Sequence, residues 1–570
     1  MSIIKAEHLT YSYPRSTKPT LDNLSFEIQP STVTALLGCS GAGKSTLLLT
    51  LAGIIPEFYG GSWSGSLKVG DVVVSAEDSH AADVIQQVAI VLQVPDTQLI
   101  GFRVEETIAF ALENQGIPPA QIRHRIQQVL DELNIAHLRY RLTSTLSGGQ
   151  KQVCVLAAML ALDTPIIVLD EPTAALDPAG KALVSRVLER LKQLGKTLVI
   201  SDQTLDWFQH LIDYVLVLAP GGKLQFSGDL KSFLKEPERV CLSGVSTPSL
   251  TEIAYELRQH GCQPDPWLTL EEARTWLKEN LTISQLSPPV RKLSEIDSAK
   301  YIVECVEVTY TYPNANVPAI NDVSFEARSG QLIGIIGQNG SGKSTAIRHL
   351  NGLLKPQKGR VLIAGRSVAE MTVAQMARWV GIVFQNPDLM LFNETVEQEI
   401  GFSLNSTQDI HWRQKRKSYL LGLLEQFGLT PHLSRSPLAL SVGEKQLLAI
   451  LCALALDPEV LVLDEPTFGM DRFGREQLIR LLKQLLQEGK TIICVSHDLS
   501  LLIENADDLI VFKDGRLVCC QPTHELIRET KQFEGFQIPL PAHVQLSNEL
   551  LGFPCLTPSE FAQHLVICSS

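Results

Sequence analysis

The fold of this chain is decided by Gly38-Cys39-Ser40-Gly41-Ala42-Gly43-Lys44-Ser45-Thr46. The same pattern returns as Gly337-Gln338-Asn339-Gly340-Ser341-Gly342-Lys343-Ser344-Thr345. Each copy follows a short apolar strand and opens a helix. Its glycines let backbone N–H groups turn inward around a chain of phosphates, while the lysine supplies positive charge and the serine offers a hydroxyl to Mg²⁺. Two such matches after apolar strands predict two nucleotide-binding loops.

The sequence repeat extends beyond the glycine-rich loops. Leu169-Asp170-Glu171-Pro172-Thr173 returns as Leu463-Asp464-Glu465-Pro466-Thr467, with nearly equal spacing from the glycine-rich loops. The strands before these pairs, residues 166–169 and 460–463, are uniformly apolar, which is typical of a parallel sheet buried on both faces. The sequence predicts an α/β fold with two tandem phosphate-loop NTPase domains.

The boundaries predicted from this repeat are 1–235 and 301–528 for the two domains. A connector covers 236–300 and a tail covers 529–570. In both, a threonine stands three residues before a glutamate (Thr269 and Glu272; Thr557 and Glu560), which is the pattern of a helix capping box. We therefore expect a small helical appendage after each domain; an unrelated linker and a frayed tail are the alternative.

Composition narrows the class of protein. The 570 residues are 45% hydrophobic and 19% charged, as in globular proteins. The formal net charge of −13 argues against a protein that binds nucleic acid by neutralising phosphates. The beginning lacks a secretory signal pattern, and the longest apolar runs are about half of the ~20 residues that cross a bilayer. We expect any membrane contact to be made through partners.

The Asp-Glu pairs should carry the chemistry of hydrolysis. Because Asp170 and Glu171 end a buried strand, they are expected at the carboxyl edge of the sheet, beside the phosphate loop. Asp170 is the expected Mg²⁺ partner and Glu171 the group that polarises the attacking water. Asp464 and Glu465 repeat the pair. Without the phosphate loop, such a pair would more often be the start of a solvated loop.

A serine-glycine element precedes each Asp-Glu pair and opens an apolar helix. The two copies are Leu146-Ser147-Gly148-Gly149-Gln150 and Leu440-Ser441-Val442-Gly443-Glu444. With this element the sequence resembles the ABC ATPase family over nearly the whole of both copies. The resemblance implies that two domains, or cassettes, meet head to tail, with each ATP between the phosphate loop of one and the serine-glycine signature of the other.

The resemblance also implies roles for single residues. Gln93 and Gln385 match the glutamine that senses Mg²⁺ and water, and His497 matches the switch histidine that contacts the γ-phosphate and the catalytic glutamate. Tyr13 and Tyr312 match the aromatic that stacks on adenine, although packing alone would also explain them. The signature residues implied to contact ATP are Ser147, Gly149, Gln150, Ser441 and Gly443. Asp177 and Asp471 match the loop that couples the two sites.

The first cassette departs from the family pattern. An alignment without gaps places Gln203 opposite His497, and no histidine is available nearby. The second signature carries Val442 and Glu444 in place of glycine and glutamine. In head-to-tail pairing both departures fall in one ATP site, so the two sites are expected to be unequal.

The segments after the glutamines indicate the type of transporter. Residues 93–99 lead into 104–110, and residues 385–391 lead into 396–402; together with Tyr13-Pro14 and Tyr312-Pro313 they resemble the ATPases of energy-coupling factor (ECF) importers. This resemblance implies peripheral attachment to the cytoplasmic side of the cell membrane, through an integral scaffold and a substrate-binding subunit, for uptake of a vitamin, a vitamin precursor or a metal ion. An ABC exporter ATPase and a soluble tandem ABC protein are the alternatives.

The docking surface is expected after each glutamine. Four acidic residues there are candidates for contact with basic residues of the scaffold helices, and solvated glutamates are the alternative. They are Glu105, Glu106, Glu397 and Glu399.

Overall fold

The computed structural model describes residues 3–75, 81–174, 176–281, 300–313, 315–405 and 409–569. The chain divides into two compact units, Met1–Ala273 and Arg274–Ser570. Among the described residues, no helix combines the length and the apolar character that a membrane span requires.

The first unit opens with two paired antiparallel strands and then alternates strands with helices. Its elements are Ile4–Ser12 (β1), Leu21–Ile28 (β2), Val33–Leu37 (β3), Lys44–Leu51 (α1), Ser62–Val69 (β4), Val72–Ser75 (β5), Ala81–Ile85 (α2), Val88–Val91 (β6), Val104–Glu113 (α3), Pro119–Glu132 (α4), Gly148–Ala161 (α5), Ile166–Asp170 (β7), Pro178–Gln193 (α6), Thr197–Ser201 (β8), Tyr214–Ala219 (β9), Lys223–Gly228 (β10), Leu230–Leu234 (α7), Pro237–Leu242 (α8), Ser249–Gln259 (α9) and Leu270–Asn280 (α10), the last of which crosses the boundary between the units.

The second unit repeats this order. Its elements are Tyr301–Tyr310 (β11), Ile320–Arg328 (β12), Leu332–Gly337 (β13), Lys343–Leu350 (α11), Lys358–Ile363 (β14), Arg366–Ser367 (β15), Val373–Met376 (α12), Val380–Val383 (β16), Val396–Leu404 (α13), Ile410–Gln426 (α14), Val442–Leu454 (α15), Val460–Asp464 (β17), Arg472–Gln487 (α16), Thr491–Val495 (β18), Leu499–Asn505 (α17), Asp508–Lys513 (β19), Arg516–Pro522 (β20), Thr523–Leu526 (α18), Thr530–Phe536 (α19), Ala542–Leu551 (α20) and Pro558–Ser569 (α21).

Each unit contains a four-stranded antiparallel sheet and a six-stranded, mostly parallel sheet. In the first unit the strand orders are β2-β1-β4-β5 and β10-β9-β3-β8-β7-β6, and the second unit has the corresponding orders. Only the edge strand β10 runs antiparallel to its neighbour β9 in the larger sheet of the first unit. The predicted α/β class with two tandem phosphate-loop domains is therefore confirmed.

The larger sheets are covered on both faces, which explains their uniformly apolar strands. Every residue of β3 and β8 is buried. One face packs against the antiparallel sheet and α1, and the other packs against helices such as α5 and α6. The second unit has the same two clusters. Side chains therefore reach solvent mainly at the ends of the strands.

The parallel strands β6, β7, β8 and β3 are neighbours in that order, so their carboxyl ends lie along one edge. Gln93 follows β6, Glu171 follows β7, Gln203 follows β8 and the glycine-rich loop follows β3. Because parallel strands share one direction, the topology brings together residues that are far apart in sequence.

A close variant of each expected capping box is present, in which the glutamate accepts the N–H of the residue before the threonine. The Glu272 N–H donates to Thr269 Oγ1 at 3.2 Å, and the Leu268 N–H donates to Glu272 Oε2 at 2.7 Å, at the beginning of α10. Thr557 and Glu560 make the same two bonds at the beginning of α21. These bonds satisfy backbone donors that a helix leaves unpaired in its first turn, so each cassette is followed by ordered helices.

Candidate nucleotide sites

The two glycine-rich loops hold their lysines in the same way. Lys44 Nζ donates to the carbonyl oxygens of Gly38 at 2.7 Å and Cys39 at 3.1 Å. Lys343 Nζ donates to Gly337 O at 2.7 Å and Gln338 O at 2.8 Å. These bonds hold each lysine ammonium at the opening of its loop, beside the N-terminus of α1 or α11. An anion placed there meets a positive charge and the N-terminus of a helix.

Glycine is required where these loops begin and where the helix starts. Gly38 has φ +149° and Gly43 has φ +96°, and both pack against backbone. A Cβ on Gly38 would lie 2.6 Å from Leu218 O, and one on Gly43 would lie 2.8 Å from Thr20 O. The loop geometry therefore excludes other residues at these two positions.

The Asp-Glu pairs lie where the sequence places them. Asp170 is the last residue of β7 and Asp464 the last of β17. The glutamates that follow have left-handed backbones, with φ +43° at Glu171 and +50° at Glu465. Such a conformation is costly for a residue other than glycine, and strained residues of this kind cluster at functional sites. It turns the chain sharply at the carboxyl edge of the sheet.

In the first cassette, Glu171 is held by two glutamine side chains. Gln93 Nε2 donates to Glu171 Oε2 at 3.0 Å, and Gln203 Nε2 donates to Glu171 Oε1 at 2.8 Å. The Ser201 hydroxyl donates to Asp170 Oδ1 at 2.6 Å and accepts the Glu171 N–H at 3.1 Å. The structure thus connects the glutamine after β6, the Asp-Glu pair after β7 and Gln203 after β8.

The second cassette connects the same positions through different groups. The backbone N–H of His497 donates to Glu465 Oε2 at 2.9 Å, and His497 Nε2 lies 3.4 Å from Glu465 Oε1. His497 Nε2 also lies 3.0 Å from Asn339 Oδ1 in the phosphate loop. The imidazole is thus next to both the glutamate and the loop. Gln385 is exposed at the end of β16.

Burial changes the acidity of both glutamates. It raises the pKa of Glu171 to about 7, against the opposing effect of the Lys44 charge; Asp202 raises it further and the Gln203 hydrogen bond lowers it. Burial also raises the pKa of Glu465, although the His497 N–H and the Lys343 charge oppose this effect. A carboxyl group poised near neutral pH is suited to accept a proton from water.

The residues present fit Mg²⁺ held together with a nucleotide. Burial raises the pKa of Asp464, and a hydrogen bond from Ser344 opposes the rise, so these two oxygen groups lie in contact. Mg²⁺ prefers oxygen ligands and is usually held by one or two carboxylates plus substrate phosphates. The described part of the chain has no group of three or more His, Cys, Asp or Glu side chains that could hold a metal.

The two candidate adenine-binding tyrosines lie against the helices that follow the phosphate loops. The Tyr13 hydroxyl is 3.2 Å from Thr46 Oγ1, and the Tyr312 hydroxyl is 3.3 Å from Thr345 Oγ1. Each ring therefore lies beside the first turn of the helix that begins at the phosphate-loop lysine. This position is compatible with a base stacked on the ring.

The signature serines begin their helices as N-caps. Ser147 accepts the Gln150 N–H, and Gln150 Oε1 accepts the Ser147 N–H at 3.1 Å. In the second cassette Glu444 replaces Gln150 in this box, accepting the Ser441 N–H at 2.8 Å, and its other oxygen lies 3.6 Å from His432 Nε2. A Cβ on Gly469 would lie 2.5 Å from Val442 Cγ1, so that glycine leaves room for the valine.

Sequence reasoning missed several contacts around these sites. Asp202 is buried, and its carboxylate accepts the N–H groups of Gln203 and Thr204 and the indole N–H of Trp207. These bonds fix the turn after β8.

The residue after the first loop glycine also contacts the helical appendage in each unit. Cys39 packs against Gly244, and Gln338 Nε2 donates to Gln537 Oε1 at 2.6 Å. The sequence motifs do not reveal these contacts, because the contacts join segments distant in sequence.

Comparison with known families identifies the family of the repeated domain. The family profile described as "ABC transporter" matches residues 21–174 and again residues 320–468. The chain belongs to the ABC transporter family. It is an ABC transporter ATPase, which binds ATP and couples its hydrolysis to transport. A profile described as "AAA domain, putative AbiEii toxin, Type IV TA system" overlaps the second cassette at residues 433–504.

Relatives within the ABC family align with nearly the whole chain. A Methanosarcina acetivorans protein with the provisional name ABC transporter ATP-binding protein is 32% identical over 96% of this chain and 91% of its own length. A Bacillus subtilis protein, YkoD, provisionally named an HMP/thiamine import ATP-binding protein, is 32% identical over 95% of both chains. The archaeal ribosome recycling factor aABCE1, solved in complex with the ribosomal stalk protein aP1, aligns with TM-score 0.56 and 19% identity over 93% of this chain and 92% of its own, which supports the fold alone.

The raised pKa of Glu171 predicts a change in stability with pH. Because the folded chain keeps this carboxyl protonated to a higher pH than the unfolded chain does, stability falls as pH rises from about 4.5 to about 7. We expect Glu171→Gln to stabilise the nucleotide-free chain more at about pH 8 than at about pH 6, by roughly 1 kcal/mol. Calorimetric unfolding of both proteins at both pH values measures this difference. An effect of the amide that does not depend on pH changes the free energy of unfolding equally at the two pH values and therefore cancels.

The exposed Glu113 provides the matched control. Glu113→Gln should shift stability equally at the two pH values. An equal shift for Glu171→Gln would mean that burial does not perturb the Glu171 carboxyl.

Proposed function

We propose that this chain is the ATPase of an ECF-type importer for a vitamin, a vitamin precursor or a metal ion. It acts on the cytoplasmic side of the cell membrane, attached through an integral scaffold and a substrate-binding subunit. The observation that carries the proposal is the likeness of the whole tandem chain to YkoD, whose provisional name specifies HMP/thiamine import. The sequence segments after Gln93 and Gln385 support the same type of transporter.

In this proposal each ATP lies between the phosphate loop of one cassette and the signature of the other. Lys44 and Lys343 hold the β- and γ-phosphates. Mg²⁺ supplies charge neutralisation at those phosphates and is held by Ser45 with Asp170, or by Ser344 with Asp464, while Gln93 and Gln385 face the ion and the attacking water. Glu171 and Glu465 accept the hydrogen bond of that water.

An exporter ATPase would use the same ATP chemistry, so the integral partners decide between import and export. A soluble tandem ABC protein is disfavoured by the net charge of −13, which opposes binding to ribosomes or DNA. Purifying the chain from detergent-solubilised membranes and identifying the integral proteins that accompany it tests this choice. A scaffold with a small substrate-binding membrane protein supports the proposal, whereas recovery without integral partners contradicts it.

Contacts within each cassette argue against the expected acidic docking surface. Glu399 is buried, and its carboxylate accepts the N–H groups of Phe392 and Asn393 at 2.8 and 2.7 Å, so the expectation that it reaches a partner is wrong. Glu105 and Glu397 form ion pairs with Arg139 and Lys417. Glu106 accepts the Arg103 backbone N–H at 3.1 Å. These glutamates therefore have partners inside their own cassettes.

Large apolar side chains in the same segments are exposed. Phe102 is 84% exposed and Phe392 is 66% exposed, and the Phe392 ring lies edge-on to that of Phe402 at 4.9 Å. Exposed aromatic residues on an otherwise charged surface are typical of binding sites. Both cassettes present one such surface after their glutamine, which suits docking of apolar helix ends from the scaffold.

We predict that replacing Phe102 and Phe392 together by aspartate releases the chain from membranes that contain its partners. The substitutions remove apolar contact area and add charge that the interface would have to desolvate. Sedimentation of membranes followed by immunodetection measures the bound fraction. Val317→Asp, at a residue that is 73% exposed in the loop before β12, is the control and should remain bound. Unchanged recovery of the double variant would exclude this docking surface.

The proposed pairing makes the two ATP sites unequal. Lys44, Glu171 and Gln203 would face the altered signature with Val442 and Glu444. Lys343, Glu465 and His497 would face the intact signature that begins at Ser147. A glutamine amide cannot gain a proton, whereas an imidazole can place positive charge near the γ-phosphate. The site that contains His497 should therefore carry most of the turnover.

We predict that Glu465→Gln or His497→Ala lowers ATPase activity about a hundredfold or more, because each removes a group that acts in the transition state. Glu171→Gln should lower activity only about twofold. Steady-state phosphate release by the chain reconstituted with its membrane partners measures all three. Equal losses for Glu171→Gln and Glu465→Gln would show that both sites hydrolyse ATP or fire in strict alternation.

A further inference from the structure

The first cassette carries a segment that the second does not. Eleven residues, 54–64, separate Gly53 from Gly65, whereas six residues, 353–358, separate Gly352 from Gly359. The bounding glycines correspond in structure. A Cβ on Gly65 would approach the carbonyl oxygens of residues 7 and 8, and one on Gly359 would approach those of residues 306 and 307. The longer segment contains Phe58, Tyr59 and Trp63, whereas the shorter one has no aromatic residue.

The extra segment is fixed against the end of β1. The Tyr11 hydroxyl donates to Gly60 O at 2.7 Å. A Cβ on Gly61, where φ is +102°, would lie 2.3 Å from Ser12 O, so the two backbones are closely packed there. Within the segment, the Gly60 N–H donates to Pro56 O at 2.6 Å. The position of Tyr59 therefore follows from backbone contacts on both sides of it.

These contacts place Tyr59 beside Tyr13. The two ring centroids are 6.1 Å apart and the ring planes meet at 77°, so the rings form two sides of a corner. Tyr13 in turn lies 3.2 Å from Thr46, in the first turn after the phosphate loop. Tyr59 remains 51% exposed, so its ring has surface available for another molecule.

The second cassette has Tyr312 at the position of Tyr13, and its shorter segment offers no ring at the position of Tyr59. Tyr310 and Tyr312 repeat the edge-to-face pair of Tyr11 and Tyr13, both with centroids 5.1 Å apart. The shorter segment instead presents Gln357, which bonds to the backbone N–H and carbonyl of Thr311 at 2.9 Å each. At this point beside the candidate base platform, the first cassette has the Tyr59 ring and the second has a glutamine bonded to backbone.

We propose that Tyr59 forms a second aromatic wall of the adenine-binding site of the first cassette and makes that cassette retain ATP more tightly than the second. A planar base stacked on Tyr13 would meet the Tyr59 ring at its rim. Aromatic contacts of this kind bind bases without requiring hydrogen-bond readout. This inference deepens the proposed function, because it rests on Tyr13 and Tyr312 as the base platforms.

The ATP site that lacks the switch histidine then also binds the adenine base more tightly than the other site does. Slow turnover and tight retention in the first cassette are compatible, because base contacts contribute to binding without acting in the transition state. The first cassette would keep its nucleotide through many cycles of the second.

Photolabelling of the full chain in the presence of EDTA, with radioactive 8-azido-ATP and 2-azido-ATP, measures nucleotide binding without hydrolysis. Trypsin places Tyr13 in fragment 6–15 and Tyr59 in fragment 45–68, so the label in each cassette can be quantified separately. We expect half-maximal labelling of the first cassette at a lower nucleotide concentration than that of the second. Fragment-ion sequencing should locate label in residues 58–61, apart from Ser45 and Thr46.

Variants separate this inference from the proposal on which it rests. Tyr59→Ala should raise the nucleotide concentration for half-maximal labelling of the first cassette about tenfold, the usual range for one aromatic–base contact. The concentration for the second cassette should stay unchanged. Tyr59→Phe should retain tight binding, because the ring rather than the hydroxyl forms the wall. Phe58→Ala, at a neighbouring residue that is 71% exposed, is the matched control and should behave as the unmodified chain.

Tyr13→Ala and Tyr312→Ala test the base platforms themselves. If each weakens its own cassette while Tyr59→Ala leaves the first unchanged or tightens it, the second wall is excluded and the platforms stand. If neither tyrosine variant weakens binding, the assignment of the base site fails. Should Tyr59→Ala fail to fold, absence of label from residues 58–61 in the unmodified chain with both reagents would still overturn the inference.

Discussion

The structure of each cassette depends on one constraint, the glycine-rich turn that fixes a lysine ammonium at the carboxyl end of a buried strand. Lys44 is held by the carbonyl oxygens of Gly38 and Cys39, and Lys343 by those of the corresponding residues. The turn is possible because residues such as Gly38 and Gly43 adopt left-handed backbones against neighbouring carbonyls. A phosphate chain that enters this turn finds charge and helix N–H groups already in place, so little reorganisation is needed for binding.

Parallel topology explains how the other groups reach that turn. Since β6, β7, β8 and β3 are neighbours, the residues that follow them share one edge, and Glu171 comes within hydrogen-bonding distance of Gln93 and Gln203. The same burial that stabilises the sheet raises the pKa of Glu171 to about 7. Fold and chemistry are therefore linked through the position of a single carboxyl group.

Much of this arrangement could be predicted from the sequence, because the phosphate loops, the Asp-Glu pairs and the capping boxes are local patterns with a physical cause. Contacts between distant segments could not. The bond from Ser201 to Asp170, the five-residue-longer segment that carries Tyr59, and the burial of Glu399 each depend on tertiary packing. Glu399 resembles a solvated helix residue in sequence, yet its carboxylate binds two backbone N–H groups of the preceding turn.

The departures from the family pattern, Gln203 in the first cassette and Val442 with Glu444 in the second, would surround one nucleotide if the cassettes pair head to tail. His497 approaches Glu465 and Asn339 in the second cassette, whereas the amide of Gln203 bonds to Glu171 in the first. Head-to-tail pairing within one chain is the central claim that gives these differences a joint effect. Cysteines introduced at Ser147 and Gly340, with Cys39 replaced by serine, test it through a short bifunctional thiol reagent. Head-to-tail pairing within one chain predicts crosslinks inside single chains at a yield independent of protein concentration. Crosslinks that join two chains and increase with concentration would contradict it.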